Sequence, residues 1–306
     1  MRAVAKAAGL WVFGRTPGGA ALYRRATRKW LGTQRTHVDK LARVAPGYFE
    51  VWRGAGIDLE RANIAILEPG VTSFWPMACR LVTGGKSHHL QLESAFDPQY
   101  ITRSAGGVVA SLGERFPSRK SEIDRLRWAH TVSEVLDACG AIEHREVDPG
   151  HLPLEDASVD VIQSGGVLEH FKQHNVGAFF KECKRILRPG GVCSHVFDHR
   201  DHLYHADKSI EPMNHLRYSE PVYWLLFGHR LTYHNRLLPA QVHAIICESG
   251  LEQIAMRRLT LPGGKYVSDE EVTGGLLGCS KLHKRYRQAS PIDLRTAACH
   301  YVFKKT

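Results

Sequence analysis

Residues 152–191 read LPLEDASVDVIQSGGVLEHFKQHNVGAFFKECKRILRPGG, and this stretch decides the fold class. Residues 159–163 form a short apolar run, which is typical of a strand buried on both faces. After small residues at the strand end, apolar side chains recur at helical spacing over 176–187 and predict an amphipathic helix. The RPGG sequence at 188–191 ends that helix, because proline lacks a backbone donor and glycine accepts a left-handed turn. Residues 192–197 predict the next strand.

The same alternation of strands and helices extends on both sides of this stretch. Apolar runs predict further strands at 63–67, 90–93, 142–147 and 251–259, a last strand at 296–303, and helices at 77–82, 121–139 and 238–249. This spacing is typical of an α/β fold, in which helices cover both faces of a parallel sheet. The first 60 residues read as helices broken at 16–19 (TPGG) and 45–47 (APG), and 261–294 reads as a surface excursion.

The order of these segments resembles the class I S-adenosylmethionine-dependent methyltransferases. The resemblance implies a Rossmann-like, doubly wound, seven-stranded sheet that is mostly parallel, with the last strand antiparallel to its neighbours. It also implies two parts, a basic helical N-terminal extension (1–60) and a methyltransferase domain (61–306) with lid insertions near 97–140 and 199–235. The cofactor implied is S-adenosyl-L-methionine.

Ligands of doubly wound sheets collect beyond the carboxyl ends of the strands, and two segments near the start of the domain end there. The first, ILEPGVTS at 66–73, stands where the family has its glycine-rich loop. Glu68 and Gly70 fit that loop, whereas Thr72 replaces its second glycine. The second ends in Glu93, about 25 residues later, whose carboxylate can accept both ribose hydroxyls.

Two later segments complete the predicted cofactor site. Asp148 and Pro149 precede a Leu-Pro pair, and the resemblance implies that Asp148 meets the adenine amino group. Ser164 and Gly165 end the central strand, where small side chains and backbone carbonyls would admit the sulfonium end of the cofactor. Because the four segments follow one another in the expected order, they predict the site more strongly together than singly.

The polar stretch after residue 197 predicts where an acceptor reacts. Methyl transfer to a hydroxyl requires alignment of the acceptor oxygen and removal of its proton, and histidine is a neutral base at pH 7. His202 follows the fifth strand and His170 follows the fourth, so both are candidate bases. Asp201 is a candidate to orient an imidazole or to bind sugar hydroxyls. A structural alternative for His170 is a hydrogen-bonding residue at a helix entry.

A narrower resemblance concerns the acceptor. Segments between residues 60 and 260 resemble a subgroup of bacterial methyltransferases found with cell-surface glycan and capsule biosynthesis. They are the Asp-His pair at 201–202, Tyr-Ser at 218–219, Asn-Arg at 235–236 and Phe-Asp-Pro at 96–98. The function expected is O-methylation of a sugar, a glycan or another small-molecule hydroxyl. N- or S-methylation of a small metabolite, a catalytically idle cofactor-binding partner protein and nucleic-acid methylation are alternatives.

The same stretch also permits a metal hypothesis. Carboxylates and imidazoles suit divalent ions, and six such residues lie close together in sequence: Asp198, His199, Asp201, His202, His205 and Asp207. A loop does not fix their geometry, and the chain has 18 histidines, so chance clusters are common. No metal site is therefore predicted.

The amino-acid composition indicates the cellular location and the kinds of partner to expect. The seven cysteines are scattered without the spacing of a metal or redox motif, which favours a reducing, cytoplasmic location. Residues 1–53 carry eleven Lys or Arg against two acidic residues, so +9 of the net charge of +10 lies there. A solvated helix face is one interpretation, and peripheral contact with an anionic surface is the other. No RNA-binding motif accompanies this charge, so a nucleic-acid partner is not expected.

Overall fold

The computed structural model describes residues 2–23, 36–68, 75–92, 113–114, 117–129, 131–229, 231–260, 266–269, 272 and 281–306. Its strands are β1 (Ile64–Glu68), β2 (Ser87–Gln91), β3 (Ala141–His144), β4 (Val159–Gly165), β5 (Leu187–Asp198), β6 (Glu252–Thr260), β7 (Tyr266–Val267) and β8 (Thr296–Lys304). They form one sheet in the order β3-β2-β1-β4-β5-β8-β6-β7. Strands β1 to β5 pair in parallel, and β8 runs antiparallel to both β5 and β6. The predicted seven-stranded, mostly parallel sheet is confirmed, with the two-residue β7 added at its edge.

Helices cover both faces of this sheet. They are α1 (Arg2–Arg15), α2 (Thr36–Gly54), α3 (Trp75–Arg80), α4 (Lys120–Asp124), α5 (Val132–Cys139), α6 (Gln173–Ile186), α7 (His202–Ala206), α8 (Glu220–Phe227), α9 (Pro239–Glu248) and α10 (Pro291–Arg295). Short 3-10 turns lie at Pro117–Arg119, Arg125–Trp128, Leu168–His170, Asn214–Arg217 and Lys284–Tyr286. None of the helices within the described ranges is long and apolar enough to cross a membrane.

Helix α6 shows why the quoted stretch folds as it does. Val176, Phe179, Phe180, Cys183 and Ile186 are buried at spacings of three and four residues. They pack in one core with the β4 and β5 side chains that point to the same face. Burying a stripe of this kind contributes roughly 1.5–3 kcal/mol per large apolar side chain, which holds the helix between its two strands.

The opposite face of the sheet has a second core, built largely by α2. Tyr48, Phe49 and Trp52 pack there with residues of β1, β4 and α3. The predicted break at 45–47 is wrong, because α2 runs through Pro46. Its buried face offsets the loss of one backbone hydrogen bond.

Two further sequence predictions are corrected. The helix predicted over 121–139 is interrupted, since α4 passes into the 3-10 turn Arg125–Trp128 before Thr131 caps α5 with a capping box. Its end at Gly140 is confirmed, with a φ of 60°. The predicted surface excursion is wrong for its last part, because Tyr286 and Leu294 are buried in a third apolar cluster with Leu216.

Candidate functional site

The carboxyl ends of β1 and β4 form the first part of the site, and Glu68 stands at the end of β1 as predicted. Its Oε2 lies 3.0 Å from Nε2 of the buried His89. Gln91 Nε2 lies 3.2 Å from His89 Nδ1 and donates to Glu143 Oε1 at 2.6 Å. An amide nitrogen only donates, so His89 Nδ1 accepts and its Nε2–H donates to Glu68. This chain of side chains fixes the Glu68 carboxylate at the sheet edge.

Gly165, at the end of β4, leaves open space beside its backbone. Among the described residues, a Cβ placed there would meet only the Tyr48 hydroxyl, at 3.5 Å. Two residues earlier, the side-chain amide of Gln163 is fully buried, and neither of its polar atoms has a partner within the described part of the chain. Unpaired buried amides are costly, so a polar ligand over this edge fits the residues present. Glu68 and the backbone at Gly165 are the residues here that would hold S-adenosylmethionine, whose polar amino acid part fits this edge.

Ser164 faces the other side of the sheet. Its Oγ lies 2.7 Å from Nδ1 of the buried His195, which packs edge-on against Phe179 and Phe180. The predicted role of Ser164 in the cofactor site is therefore limited to its backbone.

Asp148 and Pro149 lie in the turn after β3. Val147 N–H donates to the Gln91 carbonyl at 2.9 Å, which ties this turn to the end of β2. The Asp148 side chain is exposed, and its Oδ1 accepts the Gly150 N–H at 2.8 Å. The turn thus presents Asp148 at the sheet edge, as the adenine hypothesis requires. Gly70, Thr72, Glu93 and the 96–98 segment lie outside the described residues.

A cavity of about 180 Å³ forms the second part of the site, beyond the end of β5. It is lined by Leu10, Tyr23, Asp201, His202, Leu203, His215, Tyr223, Phe227, Leu231, Thr232 and His234. The walls are aromatic and aliphatic, and the polar groups are chiefly imidazoles. Mixed apolar and convergent polar walls are typical of small-molecule sites.

His202 opens α7 and faces this cavity. Its ring centroid lies 4.7 Å from that of His170 and 5.0 Å from that of His234. Burial, followed by the neighbouring His234 and His170, holds the pKa of His202 well below its usual value. His170 Nδ1 donates to the Tyr233 carbonyl at 3.0 Å, so in its neutral form the lone pair is on Nε2. The two predicted base candidates are therefore neighbours.

Two buried histidines support this pair. His234 Nδ1 accepts the Arg236 N–H at 3.1 Å, and its Nε2 lies 2.8 Å from the Asp198 carbonyl. It is thus the Nε2–H tautomer, and burial lowers its pKa to about 4. Burial also holds the pKa of His215 well below its ordinary value. The three imidazoles of the cavity wall are therefore neutral at pH 7.

Asp201 lies beside His202 but contacts no imidazole in a described hydrogen bond. Its Oδ1 accepts the Leu203 N–H at 2.8 Å, and its Oδ2 accepts from Asn214 Nδ2 at 2.8 Å. It is the N-cap of α7, and burial raises its pKa. The geometry gives Asp201 a positioning role at the start of α7, and its described side-chain hydrogen bonds go to Leu203 and Asn214 rather than to an imidazole.

Arg236 fixes the far wall of the cavity. Its guanidinium is almost fully buried, donates to the carbonyls of His215 and Tyr218, and pairs with Glu220. It also lies 4.0 Å from the ring centroid of Tyr223. Arg236 adopts a φ of 58°, a left-handed conformation that is uncommon for a non-glycine residue. These contacts stabilise that backbone conformation, in which the Arg236 N–H donates to His234 Nδ1 and orients its imidazole.

The sequence analysis missed several members of the site. His215 and His234 lie in the polar stretch after residue 197, and Arg236 belongs to the Asn-Arg pair at 235–236, but one sequence does not show which of these side chains turn inward. Tyr48 and Tyr223 gave no signal, because aromatic residues in helices are usually core residues. Gln163, inside an apolar strand, was the one available sign, since a buried amide needs a partner.

In the structure, the six residues of the metal hypothesis do not form one cluster of possible ligands. Asp198 pairs with Arg200 and His205, while His199 turns inward to the Leu237 carbonyl and the Tyr301 hydroxyl. Within the described ranges, two other groups bring one ligand atom each within 4.8 Å of one another. They are Glu169 with His170 and His202, and Cys183 with Cys193 and His195. The first group adjoins the cavity and has the chemistry to hold a divalent cation, whereas the second lies in the apolar core.

Comparisons with known proteins agree with this layout. Residues 120–195 match the family model described as a methyltransferase domain. A 62-residue stretch is 42% identical to a probable S-adenosylmethionine-dependent methyltransferase of Mycolicibacterium smegmatis, covering 20% of this chain and 23% of that protein. The chain thus aligns with about a quarter of that relative's length. Both matches are to parts of methyltransferases, and the family model covers residues 120–195 of this chain.

Two solved structures resemble most of the chain at low identity. One is an S-adenosylmethionine-dependent methyltransferase from Mesorhizobium loti, with 14% identity, a TM-score of 0.46, and coverage of 87% of this chain and 99% of that one. The other is the PH0226 protein from Pyrococcus horikoshii, with 12% identity, a TM-score of 0.47, and coverage of 89% and 92%.

Proposed function

We propose that this chain is an S-adenosylmethionine-dependent O-methyltransferase that acts on a hydroxyl of a sugar, a glycan or another small molecule. The observation that carries the proposal is the pair His170 and His202, whose rings lie 4.7 Å apart. His170 follows β4, which ends at the cofactor edge, and His202 lines the cavity. A neutral imidazole at this junction is placed to receive the proton of an acceptor hydroxyl.

When bound, S-adenosylmethionine supplies a methyl group made electrophilic by its sulfonium. The residues of this chain would align the acceptor and take up its proton. His202 is neutral at pH 7, so one of its ring nitrogens carries a lone pair that can accept the proton of the acceptor. The apolar wall of Tyr223 and Phe227 would exclude water and bind the flat face of a sugar ring. The similarity of polar segments to glycan-associated methyltransferases supports a sugar as the acceptor.

The test separates binding from transfer. Calorimetric titration with S-adenosylmethionine and S-adenosylhomocysteine should show binding that His202→Ala leaves unchanged. Transfer to a panel of nucleotide sugars and glycans should fall 10²- to 10⁴-fold in His202→Ala, the usual contribution of a general base. The matched control is His174→Ala, an exposed histidine of α6. Full transfer by His202→Ala would exclude the base role.

The alternative functions give different outcomes. Unchanged transfer in both His202→Ala and His170→Ala supports methylation of nitrogen or sulfur, which needs alignment more than a base. Stoichiometric cofactor binding without turnover on any acceptor supports an idle partner protein. A cation held by Glu169, His170 and His202 would use the same lone pair as a base, so loss of transfer on chelation would favour a metal-bound acceptor oxygen.

A further inference from the structure

Most exposed large apolar side chains of the described residues belong to α1, the helical residues 19–23 that follow it, and α8. Trp11, Val12 and Leu22 belong to the N-terminal part, and Val222, Trp224, Leu225 and Leu226 belong to α8. Together they are seven of the ten exposed large hydrophobic residues in the described part of the chain, and each is 38% to 60% exposed. We call these seven residues the α1–α8 patch. Single exposed apolar residues are ordinary, whereas a contiguous group marks an interaction surface.

Direct contacts make the patch continuous. Trp11 Nε1 donates to the Leu225 carbonyl at 3.0 Å. Arg15 Nη2 donates to the carbonyls of Trp224 and Leu225, at 3.1 and 2.8 Å, and its guanidinium lies 4.9 Å from the Trp11 ring centroid. Arg15 thereby caps the end of α8 and fixes the two helices side by side.

Helix α8 is apolar on two faces. Tyr223 and Phe227, four residues apart, turn inward and line the cavity. Val222, Leu225 and Leu226 recur at spacings of three and four on the outer side, where they are exposed. A helix that is apolar all round is expected only where both faces are covered. The fold covers the inner face, so a partner is required for the outer one.

Charge identifies that partner. Residues 1–38, which include the N-terminal part of the patch, contain eight Lys or Arg and no Asp or Glu. Exposed Trp and Leu in a segment whose sequence is this basic suit the interfacial zone of an anionic bilayer, where tryptophan rings sit at headgroup level. We propose that the α1–α8 patch docks this protein on an anionic lipid surface. The cavity, lined by the inner faces of the same two helices, then lies next to the headgroups.

The test is co-sedimentation of the full chain with phosphatidylcholine vesicles, with and without phosphatidylglycerol. Binding should be strongest to the anionic vesicles and should weaken as salt is raised. Leu225→Glu changes the most exposed side chain of the patch and leaves its carbonyl in place, so it should reduce partitioning at least tenfold. The matched control is Ile254→Glu, an exposed apolar residue of β6, which should bind as the unchanged chain does.

Two other outcomes overturn the proposal. If Leu225→Glu binds vesicles like the unchanged chain, the patch is not the docking surface. If no vesicle binds and light scattering shows a dimer that Leu225→Glu dissociates, a second copy covers the patch. Circular dichroism shows whether each variant is folded, and calorimetric binding of S-adenosylmethionine is measured separately. Vesicle binding without cofactor binding would leave the docking surface intact and refute the proposed methyltransferase function.

Discussion

The cofactor edge, at the carboxyl ends of β1 to β4, and the cavity wall beyond β5 hold their polar groups in different ways. At the cofactor edge, Glu68 is held by one chain of side chains through His89, and Gly165 is open backbone. At the cavity wall, buried groups such as His234 and Arg236 bond mostly to backbone carbonyls and amides. The residues that hold Glu68 therefore lie on regular, adjacent strands, whereas the cavity wall is held by single buried side chains that bind the backbone of irregular segments.

The largest expected effect concerns Arg236. Arg236→Ala removes a buried cation that pairs with Glu220 and satisfies two carbonyls, so we expect a loss of about 3–5 kcal/mol in the free energy of unfolding. Urea denaturation measures it. The control is Arg285→Ala, which removes the exposed partner of the same Glu220 and should cost less than about 1 kcal/mol. Equal losses for the two arginines would show that the wall does not depend on Arg236.

The second largest effect is expected from acid, which should lower the free energy of unfolding by protonating buried histidines. Burial lowers the pKa of His199 to about 3 and that of His234 to about 4, whereas both titrate near 6.5 in the unfolded chain. Below pH 6.5 the unfolded chain binds protons that the folded one does not, so stability is complete above this pH and decreases as pH falls towards 4. The two together should remove about 3 kcal/mol between pH 7 and 5.5.

Denaturation with urea at several pH values checks this prediction. Its control is His234→Gln, which should reduce the slope of stability against pH by about one proton per molecule below pH 6. A flat profile from pH 7 to 5.5 would contradict the buried, neutral state of these histidines.

At the cofactor edge, Glu68→Gln should affect binding rather than folding. The amide keeps a hydrogen-bond acceptor for His89 but loses the charge that would attract the cofactor's amino group. We expect affinity for S-adenosylmethionine to fall about tenfold by calorimetry, because hydrogen bonds to charged groups contribute roughly 1.5–3 kcal/mol. Asp160→Asn, which removes a carboxylate paired with Arg188 outside the candidate site, is the control and should leave affinity unchanged. Unchanged affinity in Glu68→Gln would remove this residue from the cofactor site.

The smallest effect is expected for Asp201→Asn. Asparagine caps a helix about as well as aspartate, so stability should change by about 1 kcal/mol or less. Methyl transfer should change less than about threefold if the carboxylate only positions α7, a change of under ~1 kcal/mol in activation free energy. A drop of a hundredfold in kcat would instead show that its charge acts on His202 or on the acceptor.

The two regions also differ in how far the sequence predicts them. Strands β4 and β5 follow from apolar runs, and the end of α5 follows from Gly140. The start of β5 was predicted wrongly, because the strand begins at Leu187 and includes the Arg-Pro-Gly-Gly sequence. Burial of Ser164 against His195 was not predictable, because strand residues alternate between faces and the sequence does not say which face is polar. The wall was still less predictable, since His215, His234 and Tyr223 meet only through the left-handed turn at Arg236.

The antiparallel direction of β8 has a practical consequence. Lys304 at its end pairs with Val192 near the start of β5, so the strand ends at the edge of the sheet opposite Asp198. Its side chain is tied there to the carbonyl of Ala55. A fluorophore or surface tether attached after β8 would therefore point away from the cavity. Immobilising the protein by that end should leave the α1–α8 patch free to meet vesicles flowing past a sensor.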